Sequence, residues 1–335
     1  LKIDLATARK ELYERPAALP TVEFSSLKDD LVRRDFTINA MAVSINSGNF
    51  GQLIDFFGGQ ADLASGRIAV MHDGSFIDDP TRIFRAVRFE QRFGFTIDPH
   101  TEELIQNAVD EEMFGRVEPQ RIRDEAVLIL KEEEPIRALR RMSDLHELRF
   151  IHPKIGPGRE IERLFAGIAD IISWYEAFPA NKRPIDRWLM YLMALLDRLS
   201  YKDAASVCVK YVFRRGETIR ILSCKENGRR LAKRLRSRKP MKPSAVYGML
   251  KDLSYEVILF IAARENSPVL TGRIKGFLQR YNNVRIFLKG DDLKSLGLKP
   301  GPKYSRILKM VLDKKIDGVL KTRNDEMKYA RRLLR

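Results

Sequence analysis

An acidic residue and an arginine stand one helical turn apart in Asp78-Asp79-Pro80-Thr81-Arg82, which opens the stretch DDPTRIFRAVRFEQR. Proline after an acidic residue is a good helix start. The ring tolerates the first turn, and carboxylates there offset the N-terminal dipole. At about 100° per residue, Arg85, Arg88 and Arg92 fall within an arc of about 60°, with Ile83, Ala86 and Val87 opposite and Arg82 at the seam. An arginine at an apolar boundary beside a carboxylate is a positioned group rather than a loose surface charge. Such a pair suits the edge of a base. Adenine and cytosine present an amino donor next to a ring-nitrogen acceptor; guanine and uracil present a protonated ring nitrogen and a carbonyl. A carboxylate that accepts beside a guanidinium that donates matches the first two, and a bidentate contact of this kind discriminates by roughly 1–3 kcal/mol. Asp–Arg pairs at this spacing are also ordinary salt bridges, and Asp78 and Asp79 also read as plain capping residues, so the spacing alone leaves both readings open.

The second constellation is DLVRRDFTINAMA at residues 30–42. Arg34 suits a phosphate and Asp35 a ribose hydroxyl, with Asn39 one helical turn beyond. An amphipathic surface helix with an internal ion pair is the competing reading.

The elements that must position these groups fall into two kinds. Up to His72 the pattern is mixed α/β. Leu1–Leu5, Gln52–Phe56 and Arg67–Met71 read as strands, Leu27–Ala42 as a helix, and Gly58-Gly59 and Gly66 as turns. Beyond it nearly every segment has helical spacing: Asp79–Phe93, Pro99–Val109, Glu118–Lys131, Pro135–Leu145 and, after the Leu296–Pro302 loop, Lys303–Asp313. Gly156-Pro157-Gly158 is a candidate boundary. At 335 residues, two or more domains are expected. The apolar runs Trp188–Leu196 and Val257–Ala263 are too short to span a bilayer and fit buried helices. No secretory leader is visible, and Cys208 and Cys224 have no metal-ligand spacing, so a reduced, cytoplasmic setting is expected. Lys and Arg number 61 against 45 acids, a net +16 that favours a polyanionic partner. Arg229–Lys242 (RRLAKRLRSRKPMK) concentrates that charge; a solvated face and an RNA-facing surface are both open to it.

Together, DLVRRDFTINAMA, LIDFFGG and FIDDPTRIFRAVRF closely resemble the class II tRNA nucleotidyltransferase and bacterial poly(A) polymerase family, within the DNA polymerase β superfamily. IDLATARKELYERPAALP resembles that family's stretch before its Arg-Arg-Asp motif, RVEPQRIRDEAVLIL its neck, and LGLKPGPKYSRIL its tail, so the likeness covers nearly the whole chain. It implies an α+β chain: a partial polymerase-β-like nucleotidyltransferase head (1–72), then an all-helical neck with the base-reading helix (73–154), body (155–270) and tRNA-binding tail (271–335). It further implies that Asp35 and Asn39 handle the ribose, that Arg33 and Arg34 lie near the triphosphate, that Asp79 and Arg82 pair with ATP or CTP, and that Arg85 belongs to the pocket. Gly58, Gly59 and Asp62 fall in the head's closing segment, where a scaffold role is expected. Asp78 stands where the family usually has Glu.

The resemblance also implies Mg2+. The family's Gly-Gly turn and Asp-x-Asp strand, which hold the metal, lie before the point where this sequence starts, and the parent polypeptide is expected to carry them upstream. Asp4 matches a third carboxylate of the wider superfamily; a strand-end solubilising acid is the other reading. The activity implied is addition of AMP, and of CMP in some members, to the 3′ end of tRNA. A poly(A) polymerase and an RNA-binding remnant without catalysis are the alternatives.

Overall fold

The computed structural model describes residues 3–12, 14–17, 20–145, 151–156, 158–177 and 183–334. They fold as α+β, with few, short strands followed by helices. The head holds β1 (Arg9–Leu12), β2 (Thr21–Phe24), α1 (Leu27–Val32), β3 (Met41–Val43), β4 (Leu53–Asp55), α2 (Gly59–Ser65) and β5 (Arg67–Ile68). Next come α3 (Ser75–Asp78), α4 (Thr81–Phe93), β6 (Thr96–Ile97), α5 (Pro99–Asp110), α6 (Pro119–Leu130) and α7 (Pro135–Asp144). The remainder is helical: α8 (Arg159–Ala177), α9 (Arg187–Leu195), α10 (Tyr201–Lys210), α11 (Arg215–Leu235), α12 (Pro243–Leu250), α13 (Tyr255–Glu265), α14 (Pro268–Gln279), α15 (Gly290–Ser295), α16 (Pro302–Ile316) and α17 (Arg323–Leu334). β1 pairs antiparallel with β2 (Arg9 opposite Phe24), β3 antiparallel with β4 (Met41 opposite Asp55), and β5 parallel with β6 (Ile68 opposite Ile97).

The chain forms two compact units, residues 1–162 with 195–214, and 163–194 with 215–335. In the first, α4 is the central helix. Its Ile83, Phe84, Ala86 and Val87 are fully buried, it packs against α6 and α7, and Phe84 meets Phe114 edge-on at 5.1 Å. Gly94 closes it in the left-handed region, which only glycine enters without strain. In the second unit α9 and α13 are the buried apolar helices expected from Trp188–Leu196 and Val257–Ala263. Leu293, Val311 and Ala330 form a fully buried cluster among α15, α16 and α17.

Two expectations fail, for local reasons. Residues 3–5 form no strand, and the first strand begins at Arg9; Leu1 and Lys2 lie outside the described residues, as does Pro157. The helix expected over Leu27–Ala42 stops at Val32. Its start is strong, a Ser26–Asp29 capping box. Past Val32, however, the Asp35 carboxylate accepts the backbone N–H of Phe36 at 3.0 Å, which holds the backbone out of the helix. A short 3-10 turn, Thr37–Asn39, then leads into β3.

Gly59 shows why the head needs its glycine pair. A Cβ there would sit 2.2 Å from the carbonyl oxygen of Thr37, and Gly58 occupies the left-handed region at φ 76°. The same turn is tied by Asp62, 3% exposed, which accepts from Thr37 Oγ1 at 2.6 Å and from Arg67 Nε at 2.7 Å. Gly59→Ala should therefore destabilise the first unit by about 1–3 kcal/mol, as overpacking against backbone does. Thermal unfolding of the purified protein checks it, and an unchanged midpoint refutes it.

Candidate nucleotide-binding cleft

A polar cleft of about 640 Å3 opens in the first unit, lined from β1, the residues just past α1, the Thr37–Asn39 turn, the link between α3 and α4, α4 and α6. Of the residues singled out in the sequence, Arg33, Arg34, Asp35, Asn39, Asp79, Arg82 and Arg85 all line it. Asp4 does not; it is exposed in the irregular segment before β1.

Asp35 joins Asn39 and Arg85. It is 8% exposed, yet each carboxylate oxygen is matched: Oδ1 accepts from Phe36 N and from Asn39 Nδ2, both at 3.0 Å, and Oδ2 accepts from Arg85 Nε at 2.8 Å and Nη2 at 2.5 Å. A buried carboxylate persists only when charge and hydrogen bonds compensate its lost hydration, and Arg85 supplies both. Arg85 also faces Glu125 on α6, at 3.5 Å. Asp35 takes the closer, two-pronged contact. Burial would push the Arg85 guanidinium toward neutrality, but Asp35 outweighs it and holds Arg85 firmly charged. Glu125 receives the weaker share, so burial lifts its carboxyl above the ordinary range despite Arg85 and Arg88. Its Oε2 is buried without a hydrogen-bond partner.

Asp79 and Arg82 are each anchored from behind rather than by one another. Asp79 lies on the two-residue link between α3 and α4, with extended backbone at φ −142°. Its Oδ1 accepts from Thr81 N at 3.0 Å and Thr81 Oγ1 at 2.6 Å, and its Oδ2 from Arg121 Nη2 at 2.7 Å. Arg82, 5% exposed, donates through Nη1 to Ser75 Oγ and through Nη2 to the carbonyl of Arg33, both at 2.7 Å. A guanidinium has more donors than these two bonds use. Asp79 is therefore held as a helix-start acceptor and also lines the cleft.

The cations just past α1 are held by acids. Arg33 bonds Asp30 at 2.7 Å and Glu11 at 3.0 Å, and Arg34 reaches Asp30 at 3.3 Å. Arg34 remains the more exposed of the two, at 46% of its side chain against 21%.

Sequence reasoning missed Glu11, Thr81, Arg121, Asp124 and Glu125 as cleft residues. Arg121 and Glu125 stand four apart on α6, and that spacing in RVEPQRIRDEAVLIL was the available signal. Arg88 also departs from expectation. It does not share an outward arginine face but is 8% exposed, its guanidinium over Phe89 at 4.8 Å and beside Glu132 at 3.7 Å. One further arginine ties α6 in place: Arg123 donates to the carbonyls of Tyr211, at 3.4 Å, and Val212, where α10 ends in a left-handed turn.

In the second unit, Arg229, Arg230, Lys233, Arg234, Arg236, Arg238, Lys239 and Lys242 are exposed, while Ala232 and Leu235 are buried. Arg273 bonds the carbonyls of Leu235 and Lys239, each at 2.7 Å, which fixes the end of α11 and the turn that follows.

Among the described residues no group of three or more His, Cys, Asp or Glu is placed to hold a metal ion. The carboxylates of the cleft face guanidinium groups instead: Glu11 and Arg33, Asp35 and Arg85, Asp79 and Arg121, Asp124 and Arg123. These residues by themselves do not fit a metal site.

Few short strands followed by helices, with an arginine-rich cleft between an Arg-Arg-Asp turn and an Asp-Pro-Thr-Arg helix, make the pattern of a nucleotidyltransferase head leading into helices. Residues 1–69 match the family described as poly A polymerase head domain, and residues 94–157 that described as probable RNA and SrmB-binding site of polymerase A. The chain is 39% identical to the A-adding tRNA nucleotidyltransferase of Geobacter sulfurreducens over 99% of its own length, and spans 38% of that protein. Among solved structures it superposes on a CCA-adding enzyme in its apo form II with a TM-score of 0.80, at 37% identity, covering 97% of this chain and 76% of that one. The Thermotoga maritima CCA-adding enzyme in complex with tRNA gives 0.76 at 34% identity, covering 92% of this chain and 74% of that one. The chain belongs to the class II tRNA nucleotidyltransferase and poly(A) polymerase family.

Proposed function

We propose that the protein adds AMP, and CMP where its specificity is broader, from nucleoside triphosphate to the 3′ end of tRNA, with amino-acid side chains in place of a nucleic-acid template. One observation carries this reading: Asp79 and Arg82 are anchored from behind and line the same cleft as Arg33, Arg34, Asp35, Asn39 and Arg85. In the proposed division of labour, Asp79 accepts the exocyclic amino group of adenine or cytosine and Arg82 donates to the adjoining ring nitrogen. Asp35, fixed by Arg85 and Asn39, takes the ribose, and Arg34, with Arg33 behind it, takes the phosphates.

Division into head (1–72), neck (73–154), body (155–270) and tRNA-binding tail (271–335) belongs to the same proposal, as does a cytoplasmic setting. The first is supported in its head and neck by the two family matches, while the exposed cationic stretch at residues 229–242 offers the body a surface for RNA. The second is supported by two cysteines that carry no disulfide; no helix among the described residues is long and apolar enough to cross a membrane. The family's reaction uses a divalent metal, and Mg2+ is the ion we propose. The cleft residues described above do not form its site, and no step assigned to Asp4 or to the others runs through it.

The test supplies the intact protein with labelled ATP or CTP and three RNAs: tRNA lacking all of CCA, tRNA ending in CC, and an unstructured RNA. Single AMP addition to the CC-ending tRNA is expected. Tailing of the unstructured RNA would turn the assignment to a poly(A) polymerase, and tRNA binding without incorporation would refute catalysis.

A further inference from the structure

Asp79 has an acceptor problem that its own neighbours do not solve. A carboxylate with both oxygens open is a good receptor for guanine, whose pairing edge presents a ring N–H and an amino group side by side. An isolated Asp at the mouth of a nucleotide cleft would therefore favour the wrong purine. Uracil gains nothing comparable, because its single ring N–H is flanked by two carbonyls that the carboxylate repels.

The structure removes this option with two sets of donors. Thr81 N and Oγ1 fill the acceptor directions of Oδ1, and Arg121 Nη2 takes one direction of Oδ2 at 2.7 Å. One direction of Oδ2 remains, enough for a single amino group. The Thr81 contacts are local to the start of α4. The Arg121 contact comes from α6, a separate element packed against α4, and so fixes the carboxylate's rotation from outside. Both side chains sit on the cleft wall, 19% and 26% exposed, where a charge-assisted hydrogen bond keeps much of its directional strength.

We propose that Arg121 is a specificity-determining positioning residue that excludes guanine by occupying the second acceptor of Asp79. This rests on the assignment of Asp79 and Arg82 as the base-reading pair. Removing Arg121 leaves both acceptor directions of Oδ2 open while Thr81 still holds Oδ1, so that one oxygen can accept the ring N–H and the amino group of guanine together, and the error opened is toward GTP and not toward UTP. Arg121→Lys keeps a charged donor at the same oxygen and closes it again.

The experiment measures kcat/KM for ATP, GTP and UTP on tRNA ending in CC, with intact wild-type protein and the variants Arg121→Ala, Arg121→Lys and Arg82→Ala. Equilibrium binding of ATP and GTP without RNA is measured alongside. For Arg121→Ala the ATP-to-GTP ratio should fall on the order of tenfold, the size of one bidentate base contact, with ATP-to-UTP little changed and Arg121→Lys near wild type. An equal loss on all three nucleotides, or equal movement of the GTP and UTP ratios, overturns the proposal. Where Arg121→Ala fails to fold, Arg121→Met, which keeps the bulk of the stem and has no donor, reads the same ratio. The two failures are separable. A shifted profile in Arg82→Ala with none in Arg121→Ala sinks only the role of Arg121, whereas a flat profile in Arg82→Ala sinks the base-reading pair and this inference with it.

Discussion

Arg82→Ala should lower AMP incorporation by about ten- to a hundredfold and narrow the preference for ATP over GTP and UTP, as loss of a base-reading contact of roughly 1–3 kcal/mol requires. Two effects combine. The donor proposed for the ring nitrogen disappears, and the hydroxyl of Ser75 and the carbonyl of Arg33 lose their partner, which loosens the backbone at Arg33. The second effect lowers use of every nucleotide alike, and only the first changes their ratio. Ser75→Ala separates them, because it loosens the anchor while leaving the guanidinium: activity should fall by less, and the nucleotide ratio should move little. Competition assays with mixed triphosphates give the ratio directly. An Arg82→Ala protein that is slow but fully selective would show that Arg82 braces the cleft and does not read the base.

Glu326→Ala should destabilise the second unit by about 3–5 kcal/mol, the cost of stripping one partner from a buried ion pair. Glu326 on α17 has no exposed surface. Its Oε2 accepts the backbone N–H groups of Phe287 and Leu288, each at 2.8 Å, and its Oε1 meets Lys315 Nζ on α16 at 2.6 Å. Lys315 in turn stands 3.5 Å from the centre of the Phe287 ring. One carboxylate thus joins α17, α16 and the chain entering α15, and its removal leaves a part-buried ammonium and two amide donors unmatched. Glu326→Gln should cost less, since an amide oxygen still accepts from the backbone. Denaturant unfolding with hydrogen exchange over residues 286–334 is the measurement. Equal stability of Glu326→Ala and wild type would show that the pair contributes nothing net.

The cleft was legible in the sequence where chemistry is local. Asp35 and Asn39, four residues apart, do meet at 3.0 Å, and Asp79 and Arg82, three apart, do face one cleft. The means were misread in part, because the Asp35–Asn39 contact is made across a 3-10 turn and not along the helix that periodicity suggested. Side-chain hydrogen bonds to the backbone decided that, and they leave no trace in apolar spacing. The long helices were plain from their periodicity and their proline starts, as at Pro99, Pro119 and Pro135. What stayed hidden joins positions far apart in the chain: Arg121 with Asp79, Glu125 with Arg85, Glu11 with Arg33. A helical wheel ranks Arg88 beside Arg85 and Arg92, yet it has no knowledge of the helices packed against α4 or of Glu132 between them, which meets that arginine.

The arrangement of α6 bears on how such a protein can change. Positions 121, 123 and 125 reach, respectively, Asp79, the end of α10 and Arg85. On the reading proposed above, choosing a base and gripping a sugar are then not separate traits. Any lineage that retunes one by sliding or tilting this single rod disturbs the other, so new nucleotide preferences should arise by exchanging side chains at its fixed stations while its path is kept.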